Sequence, residues 1–130
     1  MREEPRSRDE KLETLQEAMS KRKRIELLWK GYEVNIFYET YIFYTSEKNK
    51  YTALIPVKSG SNEERMLTIG YDSALKPTSL LYSATRANLD VIALSADDLP
   101  ENLRGCENEL AEFILNQDFE GTNELDGWTR

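Results

Sequence analysis

The stretch KRKRIELLWKGYEV, residues 21–34, joins a basic run to an apolar run in a chain of 130 residues whose net charge is -7. The apolar run is rich in β-branched, aromatic and leucine residues, which is typical of a strand. Lys30 and Gly31 have the composition of a tight turn before the apolar pattern resumes. The stretch therefore predicts a change from helix to antiparallel strands. The basic run consists of Lys21, Arg22, Lys23 and Arg24.

Residues 9–24, which end in this basic run, have the spacing of an amphipathic helix. The apolar positions that fall on one helical stripe are Leu12, Leu15, Ala18 and Met19. The four basic residues then fall in the last turn, where positive charge meets unpaired carbonyls and the negative end of the helix dipole. Closure of the helix is the first interpretation. A phosphate or other anion contact and a nuclear-localisation signal are the alternatives.

After the basic run the periodicity becomes that of strands. The segments rich in β-branched and aromatic residues are 25–29, 34–44, 51–57 and 66–69. Their short, turn-forming connections predict antiparallel neighbours, and Pro56 places the third strand at an edge or ends it. Residues 89–94 (LDVIAL) fit either a last strand or a buried helix segment. Residues 108–116 predict a C-terminal helix.

The sequence therefore predicts an α+β fold. It consists of an N-terminal helix, a small antiparallel sheet or SH3/Sm-like barrel of about four to five strands, and a C-terminal helix. The length fits one domain. We place this domain at residues 9–116, between a flexible tail at residues 1–8 and an acidic tail at residues 117–130.

The segment VNIFYETYIFY, residues 34–44, carries aromatic side chains on both faces of its predicted strand. In one extended strand, Phe37, Tyr41 and Phe43 face away from Val34 and Ile36. The strand is then either covered on both sides, or it presents Phe37, Tyr41 and Phe43 as an exposed patch. Such a patch suits a flat ligand, a base or a partner protein.

The order of these elements is similar to that of a known family. The segments EAMSKRKRIELLWKGYEV, KYTALIPV and ERMLTIGYDSALKPT resemble parts of the WYL domain, an Sm-like or SH3-like β-barrel module of bacterial regulators. In that family a helix, a basic turn and an aromatic strand precede a strand with a Trp-Tyr-Leu signature and a basic segment with an aspartate. The resemblance implies a ligand- or nucleic-acid-sensing module, with Tyr51, Arg65 and Asp72 as binding residues.

The composition restricts the chemistry. The chain has no His and one Cys, Cys106. This excludes Ser-His-Asp and Cys-His catalysis, His-based metal sites, and a thiolate zinc cluster within one chain. No GxxxxGK[ST] or GxGxxG motif is present. We therefore expect no enzymatic activity, no metal and no cofactor, and we interpret Cys106 as structural.

Two functional classes remain ahead of an unrecognised enzyme. The first is a non-catalytic module that senses a small ligand or an oligonucleotide. The residues predicted to bind it are Lys21, Arg22, Lys23, Arg24, Tyr41, Tyr51, Arg65 and Asp72. The alternative is an acidic protein-interaction factor, either an adaptor or a DNA-mimic-like inhibitor. Its acidic C-terminal third, where residues 96–130 hold ten Asp/Glu against two Lys/Arg, would bind a basic protein surface.

The expected location and partners follow from the same pattern. The sequence has neither an apolar leader at its start nor a run of about 18 apolar residues, so we expect a cytoplasmic protein that does not bind membranes. A strand edge or the aromatic face would be the contact in a homo-oligomer.

Overall fold

The computed structural model describes residues 7–22, 24–38, 50–59, 62–88 and 90–117. Within these residues the chain forms two helices, six strands and two short 3-10 turns. The bounds are α1 Arg8–Ser20, β1 Ile25–Trp29, β2 Tyr32–Tyr38, β3 Tyr51–Ser59, β4 Glu63–Tyr71, β5 Pro77–Arg86, β6 Val91–Leu94, the 3-10 turns Ala96–Asp98 and Glu101–Leu103, and α2 Glu107–Leu115. The predicted tails fall largely outside the described residues.

The strands form a single antiparallel sheet in which each strand pairs with its neighbours in the sequence, in the order β1-β2-β3-β4-β5-β6. The predicted α+β fold with a helix before and a helix after the sheet is confirmed. The predicted count of four or five strands is too low. The described strands make an open sheet rather than a barrel, since β1 and β6 do not pair with each other.

β5 is the strand that the sequence pattern does not predict. Its sequence, PTSLLYSATR, mixes small and hydroxyl-bearing residues with few β-branched ones, which weakens the strand signal. In the sheet, however, Tyr82 and Ala84 alternate inward with partners on β4 and β6. Within LDVIAL, residues Val91–Leu94 form the sixth strand, so the described part of this segment is a strand rather than a helix.

The β1–β2 hairpin is closed by the predicted Lys30-Gly31 turn. Trp29 pairs with Tyr32, and both turn residues have positive φ, 55° for Lys30 and 82° for Gly31. This is the type I′ geometry that a two-residue hairpin favours because its twist matches that of the strands. Glycine adopts such a φ without steric cost. The turn fixes the register of β1 and therefore which face each of its side chains occupies.

Pro56 lies inside β3, which pairs with strands on both sides. The prediction that Pro56 marks an edge strand or a strand end is therefore wrong for β3 as a whole. Two local features accommodate the proline: pairing with β2 ends at Leu54, and the register with β4 shifts between Pro56 and Lys58. A bulge is one of the few places where a sheet tolerates a residue that lacks an N–H.

One face of the sheet packs against both helices, and this helix-bearing face supplies the core. The predicted stripe of α1 is confirmed, with Leu15, Ala18 and Met19 buried. They join a cluster that includes residues from both ends of the sheet and from α2. α1 begins at Arg8 because Ser7 and Glu10 form a capping box, one residue before the predicted start.

Polar contacts hold the helices in place on this face. Arg8 in α1 pairs with Glu112 in α2 at 2.6 Å. The buried Tyr71 in β4 donates a hydrogen bond to the Glu107 carbonyl at 2.9 Å. Lys30 at the hairpin turn pairs with Glu109 at 2.9 Å. These contacts tie α1, the sheet and α2 together, so the helices are fixed on one side. Among the described residues, no helix is long and apolar enough to cross a bilayer.

Candidate protein-binding surface

The predicted helix end is wrong, because α1 ends at Ser20 and none of the described residues of the basic run lies in its last turn. The described basic residues follow the helix and contact groups of this chain. Lys21 is the C-cap of α1 and its ammonium lies 3.7 Å from the Glu17 carboxylate. The Arg22 guanidinium donates to the Ala18 carbonyl at 3.1 Å, inside the last turn of the helix. Lys23 lies outside the described residues. Contacts of this kind are those expected of residues that end a helix.

Arg24 follows the helix and leads into β1. Its guanidinium pairs with Glu26 at 2.6 Å, and both side chains are about half exposed. The pair therefore connects the basic run to the first residues of the sheet. An anionic ligand at Arg24 would compete with Glu26.

Tyr51, the tyrosine in the WYL-like segment, is in the core. It is 2% exposed, and its ring lies 5.2 Å from that of Tyr38 in a tilted arrangement. Its neighbours on the adjacent strands are Tyr38 and Tyr71. A ligand would have to displace core side chains to reach this ring.

Asp72 organises the turn between β4 and β5. One carboxylate oxygen, Oδ1, accepts hydrogen bonds from the backbone N–H groups of Ala74 and Lys76, each at 2.9 Å. The Asp72 carbonyl accepts from Leu75, which has a φ of 62°. Such hydrogen bonds to the backbone are the usual structural role of an aspartate in a turn.

Arg65 belongs to a charged group at one end of the helix-bearing face. Its guanidinium donates to the Glu63 carboxylate, Lys58 lies opposite Arg65 in the sheet, and Arg86 lies opposite Glu63. The hydrogen bond from Arg65 lowers the pKa of Glu63, and Lys58 and Arg86 act in the same direction. The hydrogen bonds with Glu63 and Tyr82 raise the pKa of Arg65. We call Lys58, Arg65 and Arg86 the cationic group.

The predicted aromatic patch is described only at Phe37, because Tyr41 and Phe43 lie outside the described residues. Phe37 is half-buried and lies opposite Thr52 of β3. Val34 and Ile36 are buried on the helix-bearing face. The described part of the strand therefore directs Phe37 to the other side of the sheet, as the alternation predicts.

That other side, which we call the open face, carries apolar side chains that do not belong to the core. Its described apolar residues include Leu28, Phe37, Leu54, Pro56, Met66, Leu81 and Val91, and none of these belongs to the core cluster that includes both helices. Leu28 is 71% exposed, Val91 65% and Leu81 39%. An antiparallel sheet tolerates one solvated face. These exposed side chains make the open face a stronger candidate for contact with another protein than the helix-bearing face.

The open face ends, on its β1 side, in a pocket that we call the corner pocket. It is lined by Glu26, Leu27, Leu28, Glu33 and Asn35. Glu26 lies opposite Asn35, and Leu28 lies opposite Glu33. Glu33 has no ion-pair partner among the described residues. Two carboxylates beside an exposed leucine suit a cationic side chain with an aliphatic stem, such as lysine or arginine.

The sequence pattern does not single out the corner pocket. Glu26 and Glu33 are seven residues apart and read as ordinary polar positions of two strands. They face the same pocket only because the Lys30-Gly31 turn sets the register. The one available signal is the KG turn, from which the register and the shared face of Glu26, Leu28 and Glu33 can be worked out.

The acidic segment between β6 and α2 presents further carboxylates. Asp97, Asp98 and Glu101 are exposed and have no ion-pair partner among the described residues. Arg104 does not neutralise them, since its guanidinium donates to the backbone carbonyls of Leu99 and Asp97. The segment adds to the negative potential of the molecule.

Cys106 is buried before α2, at 2% exposure. Burial raises the pKa of its thiol to about 11, and the Glu107 carboxylate acts in the same direction. A thiol in this environment is a poor nucleophile at neutral pH. The described residues also contain no group of three acidic, Cys or His side chains arranged to hold a metal ion.

Comparison of the chain with family models, with curated proteins and with solved structures finds no match.

Proposed function

We propose that this protein is a non-catalytic protein-interaction module that binds a basic segment of another protein at the corner pocket. The observation that carries the proposal is that two carboxylates, Glu26 and Glu33, line one pocket together with the exposed Leu28. This pocket lies at the border of the open face. The pocket offers an apolar wall and the Glu33 carboxylate to one long side chain, beside the Glu26 carboxylate that pairs with Arg24.

The charge of the whole molecule supports the same partner. With a net charge of -7, the protein attracts cationic surfaces and repels anionic ones at a distance. The exposed carboxylates of Asp97, Asp98 and Glu101, which have no ion-pair partner within the described part of the chain, add to this field. The partner is therefore a protein with a basic surface, as in the acidic interaction factor that the sequence suggests.

Calorimetric titration with three synthetic peptides tests the proposal. The first alternates arginine with valine, the second replaces arginine with glutamate, and the third keeps the arginines but replaces valine with glycine. We expect binding of the arginine-valine peptide, weakening between about 50 and about 300 mM salt, and weaker binding of the arginine-glycine peptide. Equal binding of the first two peptides, or no binding of the first at low salt, would contradict the proposal.

A second candidate function is sensing of an anionic ligand or nucleic acid at the cationic group. It is favoured by the adjacent placement of Lys58, Arg65 and Arg86 around one carboxylate, Glu63, and by the resemblance to WYL domains. Titration with labelled single- and double-stranded DNA tests it, beside the double variant Lys58→Ala/Arg86→Ala. Binding that disappears in this still-folded variant supports sensing. Absence of binding at low salt excludes it.

A further inference from the structure

β1 is the first strand of the sheet, and β2 is its only partner among the described strands. Its ladder with β2 starts at the two-residue turn, where Trp29 pairs with Tyr32. The two residues that flank such a turn exchange both backbone hydrogen bonds, and hydrogen-bonded and non-hydrogen-bonded pairs then alternate along the ladder. Leu27 and Ile25 are therefore bonded to β2.

Glu26 and Leu28 alternate with the bonded residues Ile25, Leu27 and Trp29 along β1. The N–H and C=O groups of Glu26 and Leu28 are directed away from β2, toward the free edge. Neither residue makes a further backbone hydrogen bond among the described residues. β1 therefore presents two donors and two acceptors in the spacing that an added strand requires.

The side chains along this edge specify what kind of strand fits. Partner residues that bond to Glu26 and Leu28 place their side chains on the open face, beside the corner pocket. The residue between them lies on the helix-bearing face, next to Leu27, which is half-buried against the core. The matching pattern is basic, apolar, basic.

Charge selects a different protein over a second copy of this chain. Pairing β1 with another β1 would bring Glu26 and Glu33 of both copies to one edge, in two molecules that each carry a net charge of -7. Because Arg24 already pairs with one of these carboxylates, Glu26, Glu33 is left as the free acceptor for an incoming cation. Like charges across a shared edge oppose self-pairing.

We propose that β1 accepts an extended segment of the partner as an added strand, with alternating basic and apolar residues and with a lysine or arginine in the corner pocket beside Glu33. This inference rests on the proposed function and adds its structural form. Backbone pairing supplies affinity, and the corner pocket supplies the preference for a basic side chain.

The first test removes one outward N–H without removing the strand. Leu28→Pro removes the Leu28 N–H, which is directed away from β2. An edge strand tolerates proline at a position where the replaced N–H faces solvent. The matched control, Leu28→Ala, loses the side chain but keeps the N–H. We expect the arginine-valine peptide to bind Leu28→Pro about tenfold more weakly than Leu28→Ala. Circular dichroism establishes that both variants are folded, and equal affinity of the two folded variants overturns the inference.

The second test needs no variant. Amide hydrogen exchange in the free protein should be fast at Glu26 and Leu28 and slow at Leu27, and saturation with the arginine-valine peptide should slow exchange at Glu26 and Leu28 about tenfold or more. Peptide binding without this protection would leave the proposed function in place and overturn strand addition. Absence of any binding would overturn both. Protection that appears with protein concentration alone would overturn the inference in favour of a second copy.

Discussion

Asp72 shows how one side chain that fits a family resemblance also has a local structural role. Its Oδ1 atom accepts two backbone hydrogen bonds across the β4–β5 turn, from Ala74 and Lys76. We expect Asp72→Ala to lower the free energy of unfolding by about 1–3 kcal/mol, because two backbone donors lose their partner. Asp72→Asn keeps the acceptor and should cost less. Urea unfolding measures both, and equal losses would contradict the role of Oδ1 as acceptor.

Cys106 gives a pH-dependent prediction at the same scale. Its folded pKa of about 11 lies above the unfolded value of about 8.5, so the folded state holds the thiol proton more tightly. The stability that this contributes is present below about pH 8.5 and is lost as the pH rises toward about 11.

Burial also raises the pKa of Tyr71, so stability should fall at high pH in any variant that keeps this tyrosine. Cys106→Ala should show a shallower fall than the wild type in urea unfolding between about pH 8 and pH 10. The same slope in both proteins would show that the thiol proton is not linked to folding.

At the scale of elements, the β1–β2 hairpin depends on its turn. Gly31 has a φ of 82°, and nothing lies within 4 Å of the position that a Cβ would occupy. The effect of a substitution is therefore one of backbone strain. We expect Gly31→Ala to cost about 1–2 kcal/mol, and Gly31→Asn less, since asparagine tolerates this conformation. Thermal unfolding measures both, and an unchanged Gly31→Ala would contradict the type I′ assignment.

Periodicity predicts those elements whose burial follows their own sequence. The stripe of α1 and the strand character of β1 belong to this class, because Leu15, Met19 and Ile25 are apolar at the spacing that their element requires. β5 does not belong to this class, since Tyr82 and Ala84 become inward-facing positions only through pairing with β4 and β6. The contacts of the basic run likewise could not be predicted from periodicity, because they depend on where the helix ends.

The candidate site was harder to predict from the sequence than the fold, because strand pairing brings its residues together. Tyr51 and Asp72 stand out in the sequence through a family resemblance. In the fold, Tyr51 lies in the core and Asp72 lies in the β4–β5 turn. Glu33 and Leu28 do not stand out, and they come together only across the hairpin. A short strand edge has no sequence motif of its own, since any first or last strand can provide one.

At the scale of the whole molecule, the open sheet divides the surface into two kinds. The helix-bearing face is closed by α1 and α2, which are tied to the sheet and to each other by Tyr71, Lys30 and Arg8. Among the described residues, the open face lies outside the core cluster that includes both helices, and β1 pairs only with β2, in a molecule with a net charge of -7. β1 and β6 are the two edge strands of the described sheet, and the proposed basic segment would be added at β1.

We expect the corner pocket, rather than negative charge in general, to select the partner. A pair of charge reversals tests this most directly: Glu33→Lys in the pocket, and Glu64→Lys on the same face but on β4, opposite Thr85 of β5. Both changes alter the net charge equally, and both residues are exposed. In calorimetric titration with the arginine-valine peptide, we expect Glu33→Lys to weaken binding about tenfold or more and Glu64→Lys to weaken it far less. Equal weakening by the two variants would show that net negative charge, and not the corner pocket, attracts the peptide.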